Sequence, residues 1–385
     1  MAIPIKYNIR SVMVRRTGTV MAVLSVAATV AVFISILALA GGLEAAFTAT
    51  GDQRNLVIIR QGSQVESSSS VDHDQVQTIK YLNGVAKDAQ GEPLVSAELL
   101  VLVLLPRAGG EKAHILMRGV SPAGLLLRPQ VALVEGRMFK TGLREVVVSR
   151  TLAKRFAMQL GQPLRIEGGT IWTVVGLLDG HGSAYESEIW TDINAVSDEF
   201  KRTAYSSVLL RAESDSSAVE IVKRIDGDNR LKLQAFNEVV YFHQQTKASA
   251  PIKFLGFFIA VIMSVGACFA AMNAMYASVA YRTREIGTLR VLGFQRRYVL
   301  LAFVMESVFL ALVGGVVGCL LALPVHGIST GTMNFSTFSE LAFQFRITPK
   351  MFAEGIAFAV FMGAIGGLLP AMMAARRPIV QSLRA

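Results

Sequence analysis

Tyr281-Arg282-Thr283-Arg284-Glu285-Ile286-Gly287-Thr288-Leu289-Arg290-Val291-Leu292-Gly293 is the segment on which the fold turns. Ile286, Leu289 and Leu292 recur every three residues with arginines between them. This pattern predicts a short amphipathic helix stopped by Gly293, a residue that tolerates the left-handed conformation of a helix end. The flanking stretches are far too apolar for water. No Asp, Glu, Lys, Arg or His lies between Lys253 and Arg282, and Glu306 alone interrupts Tyr298–Leu323. About 20 helical residues cross a hydrocarbon core of roughly 30 Å, so each run is long enough to span a membrane.

Two further runs, Arg16–Glu44 and Glu354–Arg376, are equally free of charge between their end residues. Four spans are therefore expected, at 19–43, 251–279, 298–323 and 350–375. Ala38-Leu39-Ala40 has the small residues of a signal-peptidase site. However, the unbroken run Val20–Gly41 exceeds the roughly 7–15 apolar residues of a signal peptide, which favours a retained span. The 385 residues are 52% hydrophobic and 17% charged, against about 25% charged in an average globular domain. That balance excludes an ordinary soluble enzyme and a disordered chain.

Charge placement orients the spans. Lys6, Arg10, Arg15 and Arg16 precede the first; Arg282, Arg284, Arg290, Arg296 and Arg297 separate the second from the third; Arg376, Arg377 and Arg384 follow the fourth. Glu285 is the single acid among them. The positive-inside rule then puts both termini (basic helix 1–18 and tail 376–385) and the loop 280–297 in the cytoplasm. It leaves 44–250 and the loop 324–349 outside. Residues 44–250 hold 23 Lys+Arg and 24 Asp+Glu, a net of −1, so the rest of the chain carries +11 and accounts for the overall +10. The basicity follows from topology and points to lipid headgroups and a cytoplasmic partner, not to nucleic acid. The apolar side of the short helix, with Ile286, Leu289 and Leu292, is expected to enter a groove on that partner.

The outer segment reads as an α+β domain inserted between the first two spans. Strands are expected at Asn55–Arg60, Leu99–Leu105, Ile115–Gly119, Glu145–Ser149, Ile171–Leu177, Glu188–Thr191 and Ser207–Arg211. Helices are expected at Thr151–Leu160 and Ser217–Ile225, and Asn237–Lys247 as a stalk running into the second span. Val65–Val71, with its four serines, reads as an exposed loop. Asp72-His73-Asp74 reads as the start of a helix, not a metal site. The sequence carries no H-E-x-x-H or G-x-x-x-x-G-K-[ST], so neither a catalytic centre nor a metal is expected.

The run Arg282–Gly293 resembles the coupling segment of MacB-like, FtsX-type ABC transporter permeases. Tyr7-Asn8-Ile9-Arg10-Ser11 is similar to that family's N-terminal helix. Val134-Glu135-Gly136-Arg137, Val147-Val148-Ser149 and Trp172-Thr173-Val174-Val175-Gly176 resemble its periplasmic core, and Ala374-Ala375-Arg376-Arg377-Pro378 its closing motif. The resemblance implies a permease subunit in a bacterial inner membrane, working as a homodimer on two copies of a separate ABC ATPase. The chain itself would bind no cofactor, and ATP and Mg would sit in the partner. Arg282, Arg284, Glu285, Ile286, Gly287, Leu289 and Arg290 would then couple the ATPase to movement of the outer domain. The work expected is export or extraction of lipid-linked or hydrophobic cargo, with or without a periplasmic adaptor.

Within the spans, Gly314-x-x-x-Gly318 and Gly363-x-x-x-Gly367 offer small-residue faces for packing inside one protomer or for pairing of two copies. Glu306, nine residues after Arg297, is expected to bond Asn273, nine before Arg282. Two other functions are compatible with the sequence: a regulatory module activating a cell-wall hydrolase outside, and, less consistent with the missing motifs, a membrane-anchored enzyme. The loop His326–Pro349, with Phe335, Phe338, Phe343 and Phe345, is expected to cover the outer ends of the spans, with contact to a lipid as the alternative.

Overall fold

The computed structural model describes residues 16–107, 110–166, 170–246, 250–334 and 337–376. Most of the predicted helix 1–18 and tail 376–385, and the stalk junction at 247–249, lie outside the described residues. The chain opens with α1 (Arg16–Thr48), followed by β1 (Asn55–Arg60), α2 (His73–Lys80), β2 (Val95–Pro106), β3 (Lys112–Val120), α3 (Pro122–Leu126) and β4 (Ala132–Gly136). Next come β5 (Glu145–Ser149), α4 (Arg150–Arg155), β6 (Pro163–Arg165), β7 (Ile171–Asp179), β8 (Glu188–Asp192), α5 (Ile193–Phe200) and β9 (Ser207–Arg211). They are followed by α6 (Asp215–Gly227), β10 (Leu233–Asn237), α7 (Glu238–Gln245), α8 (Ala250–Tyr281), α9 (Thr283–Val291) and α10 (Arg296–Ala322). The chain closes with β11 (Ser329–Met333), β12 (Glu340–Gln344) and α11 (Pro349–Arg376).

Two compact units result. One comprises Gly42–Ala250 with Ser329–Gln344; the other contains the remaining helices. The first is built on a ten-stranded sheet ordered β10-β1-β9-β2-β3-β8-β5-β7-β4, with β6 added to β7. Its pairs are antiparallel except β3–β8 and β5–β7. Two apolar clusters hold helices against it. Leu99, Ile115, Met117, Val148 and Trp172 pack with α4 and α5, and Leu56, Ile58, Val208 and Leu210 pack with α2 and α6. At about 25 cal/mol per Å² of apolar surface removed from water, such burial is the main stabilising term.

Local chemistry explains the departures from the sequence reading. The helix expected over Thr151–Leu160 ends at Arg155, because Ala157 turns left-handed (φ 52°) and Gly161 N donates to Val174 O at 2.7 Å, joining the edge of the sheet. Val65–Val71 is not an exposed loop: Val65, Glu66 and Val71 are buried around a single 3-10 turn. Asp72 does start a helix, through a reciprocal capping box with Gln75. The expected stalk helix is seen as α7, which buries Glu238, Tyr241, Phe242 and Gln245 within the sheet unit.

Among the described residues, four helices are long and apolar enough to cross a membrane, and they make up most of the second unit. Val26, Val30 and Ile34 of α1 meet Ala267 of α8, Ala311 and Cys319 of α10 and Ala359 and Met362 of α11. Small residues permit this approach. A Cβ on Gly314 would come within 2.9 Å of Val23 O, and one on Gly318 within 2.6 Å of Ala27 O, both on α1. Gly363 and Gly367 seat against Ser307 of α10, whose hydroxyl donates to Gly363 O at 2.7 Å. All four glycines are thus occupied by contacts inside the protomer. Of the two alternatives, these contacts favour packing inside one protomer, where backbone closeness is spent on neighbouring helices of the same chain.

Candidate functional site

The helix α9 follows α8 through Arg282, whose backbone (φ −96°, ψ 16°) bends the chain while Ile286 N still donates to Arg282 O at 2.9 Å. Gly293, at φ 93°, ends the segment, with Gly293 N donating to Arg290 O at 3.2 Å. Nine helical residues present two unlike faces. Arg282, Thr283, Ile286 and Gly287 are buried, whereas Tyr281, Arg284, Glu285, Thr288, Val291 and Leu292 are exposed.

The inward face is fastened to three spans. Ile286 packs among Met275 and Val279 of α8, Val299 and Phe303 of α10, and Ala371 and Ala374 of α11. Arg282 Nη1 donates to Glu306 Oε2 on α10 at 2.9 Å, with the guanidinium 6.0 Å from the Phe303 ring centre. Arg290 Nη1 donates to Ala375 O, near the end of α11, at 2.9 Å. A carboxylate among apolar helices is costly to desolvate, and a guanidinium offsets that cost where an amide would do so only weakly.

Two sequence expectations are corrected here. Asn273 is exposed on α8 and Glu306 is bonded by Arg282 instead. Counting residues from the nearest arginines matched depth but could not show that Arg282 itself turns inward at the bend. The apolar side carrying Ile286 also does not face outward: it fills the helix bundle. Arg284 and Glu285 remain on the exposed face, Leu289 and Arg290 lie at its margin, and Val291 and Leu292 supply its apolar surface.

A second constellation, in the sheet unit, went unread in the sequence. Arg118 on β3 makes five hydrogen bonds: Nε and Nη2 to Glu188 at 2.6 and 2.8 Å, Nη1 and Nη2 to Glu66 at 3.1 and 3.2 Å, and Nη1 to Glu98 at 2.5 Å. Arg128 holds Glu98 in a two-pronged pair at 2.5 and 2.8 Å. Burial works against the charge on Glu98, yet Arg128 and Arg118 keep its carboxyl below the usual glutamate range. Burial pushes Glu238 up, although Asn55, Asp52 N and Tyr185 all donate to it. These charges join β2, β3, β8 and the Glu66 turn. The available signal was an arginine inside the apolar run Ile115–Val120 and a glutamate opening Leu99–Leu105. The described residues contain no cluster of His, Cys, Asp and Glu able to hold a metal.

A bundle of apolar helices with a large α/β domain inserted after the first, and a fastened short helix between the second and third, defines a membrane permease subunit. Residues 19–227 match the MacB-like periplasmic core domain, and residues 257–379 match the FtsX-like permease C-terminal domain. The chain belongs to the MacB-like, FtsX-type family of ABC transporter permeases.

Among its relatives, the uncharacterized ABC transporter permease YknZ of Bacillus subtilis strain 168 is 28% identical over 264 residues, 64% of this chain and 63% of that one. The macrolide export ATP-binding/permease protein MacB of Hahella chejuensis is 28% identical over 251 residues, 62% of this chain and 37% of that one. The pyoverdine export ATP-binding/permease protein PvdT of Pseudomonas entomophila is 31% identical over 245 residues, 58% and 35% of the two chains. The chain therefore spans less than two thirds of the length of these curated relatives. Among solved structures, the extracellular domain of YknZ from Gram-positive bacteria is similar at 19% identity and TM-score 0.37, covering 48% of this chain and 100% of that one.

Proposed function

We propose that this permease converts ATP binding and hydrolysis by a separate ATPase into movement of its outer domain, for export or extraction of hydrophobic or lipid-linked cargo. The observation that carries the reading is the division of α9 into an inward face tied to α8, α10 and α11 and an exposed face of Tyr281, Arg284, Glu285, Val291 and Leu292. A helix so mounted cannot shift without shifting the spans. Its exposed face combines apolar and charged groups of the kind that a groove on a partner recognises.

The rest follows from this reading. Two permease copies each dock one ATPase, with ATP and Mg held there. With the glycine faces used inside the protomer, pairing falls to other surfaces, such as the exposed Phe254, Phe257, Phe258, Val265 and Phe269 of α8. Both termini and α9 lie in the cytoplasm of a bacterial cell, and the sheet unit lies beyond its inner membrane. The names of two relatives, which mention macrolide and pyoverdine export, support an export direction. The test is affinity purification of the chain from its host in mild detergent, then mass spectrometry. An ATPase should be recovered with the unaltered chain and lost with Leu292→Asp; recovery equal in both would reject α9 as its dock.

A further inference from the structure

The segment joining α10 to α11 folds as the hairpin β11–β12, paired from Ser329↔Gln344 to Met333↔Glu340, and it belongs to the sheet unit and not to the helices it connects. The chain passes between the two units four times, and two of those passages are the ends of this hairpin. Six residues separate Ala322 from Ser329 and four separate Gln344 from Pro349. Because a chain extends at most ~3.6 Å per residue, both connections are short.

The hairpin's hold on the sheet unit is ionic and centred on one side chain. Glu340 is buried. Its Oε2 accepts from Arg107 Nη2 at 2.7 Å and Nε at 3.2 Å, and its Oε1 contacts Arg155 Nη2. Arg107 follows β2 and Arg155 ends α4, so one carboxylate grips two separate elements. Backbone contact reinforces the grip: Ala342 N donates to Ser187 Oγ at 2.7 Å, and Gly331 sits beside the Arg155 guanidinium where a Cβ would collide. Leu341, Ala342 and Phe343 are buried behind it. Glu340 also borders the small cavity lined by Glu66, Arg118 and Glu188, so the hairpin reaches the buried charge cluster.

A loop that merely covered helix ends would have no need of a desolvated carboxylate shared by two arginines, a costly arrangement whose return is fixed geometry. We propose that the hairpin is a mechanical tie, with Glu340 as its fastening, through which displacement of α10 and α11 enters the sheet domain. It acts beside the two passages at Gly42 and Ala250. The inference rests on the reading that ATP use moves the outer domain, and it assigns one route for that movement. Glu340 is a positioning residue, acting through Arg107 and Arg155.

The experiment is hydrogen exchange, read by mass spectrometry, on the full chain with its co-purified ATPase, with and without a non-hydrolysable ATP analogue. In the unaltered complex the nucleotide should change exchange over β2, β3 and α4. In Glu340→Gln the ATPase should stay bound and the core strands β1 and β9 should keep their protection, while the nucleotide-linked change over β2 and α4 is lost. Arg107→Ala should lose part of it. A Glu340→Gln complex that keeps the full change overturns the tie. A variant that sheds the ATPase or loses protection throughout the sheet also overturns it, since Glu340 would then be holding the fold. If the unaltered complex shows no nucleotide-linked change anywhere, the proposed function fails first and the tie falls with it.

Discussion

Arg282 Nη1 donates to Glu306 Oε2 at 2.9 Å, joining residues 24 apart in sequence, and both side chains are buried. Arg282 stands at the bend where α8 becomes α9, and Glu306 lies on the face of α10 that also carries Phe303. Glu306→Gln should leave a buried guanidinium poorly compensated and cost about 3–5 kcal/mol, the range for breaking one half of a buried pair. Asn273→Ala, on the exposed side of α8, should change stability by no more than about 0.5 kcal/mol. Thermal unfolding of both variants in one detergent checks this; equal losses would restore Asn273 as the partner.

The two faces of α9 should separate by mutation. Ile286→Ala removes a side chain buried among three spans and should destabilise the bundle by about 2–5 kcal/mol. Leu292→Asp alters an exposed residue and should leave unfolding unchanged while weakening ATPase recovery. Melting curves and pull-down yields, measured on the same preparations, read the two effects independently.

The span glycines should report on the protomer. Gly318→Leu would drive a side chain into Ala27 and Val30 of α1, and overpacking of this kind costs about 1–3 kcal/mol or more. The folded fraction should fall, with the ratio of dimer to monomer among folded molecules unchanged. Size-exclusion chromatography with light scattering checks it, and dissociation at full stability would return Gly318 to an interface between copies.

The sheet unit should respond to acid through Glu98. Its carboxyl titrates below its ordinary value of 4.5 in the folded chain, so its contribution is present above that value and is lost as pH falls through the lower folded one. Glu238 runs the other way: its folded value is raised, so its contribution is present below 4.5 and is lost as pH rises through the raised value. Denaturation followed from neutral to strongly acidic pH should show a flatter acid limb in Glu98→Gln and a gain at neutral pH in Glu238→Gln. A Glu98→Gln profile parallel to that of the unaltered chain would remove Glu98 as the source.

Legibility in the sequence tracked how local the signal was. Strands β5 and β9 lie where short apolar runs placed them. The edge strands β4, exposed along its length, and β10, whose run Leu-Gln-Ala-Phe-Asn is short and half polar, carry too little pattern to be read. Glu66 was obscured by the serines that follow it. Its burial depends on Arg118, 52 residues away, and on Ser207, 141 residues away.

Four charge-free runs, a basic loop between two of them and a near-neutral segment of some two hundred residues determined the membrane architecture, because water, lipid and charge sort a chain by composition before any contact forms. Tertiary structure alone decided which way Arg282 turns, that Ile286 faces the spans, that the glycines pack against neighbouring helices of the same chain, and that the hairpin after α10 folds into the sheet unit through Glu340. Each of these outcomes depends on partners dozens of residues away, and a buried charge takes whichever partner the fold brings within hydrogen-bonding distance.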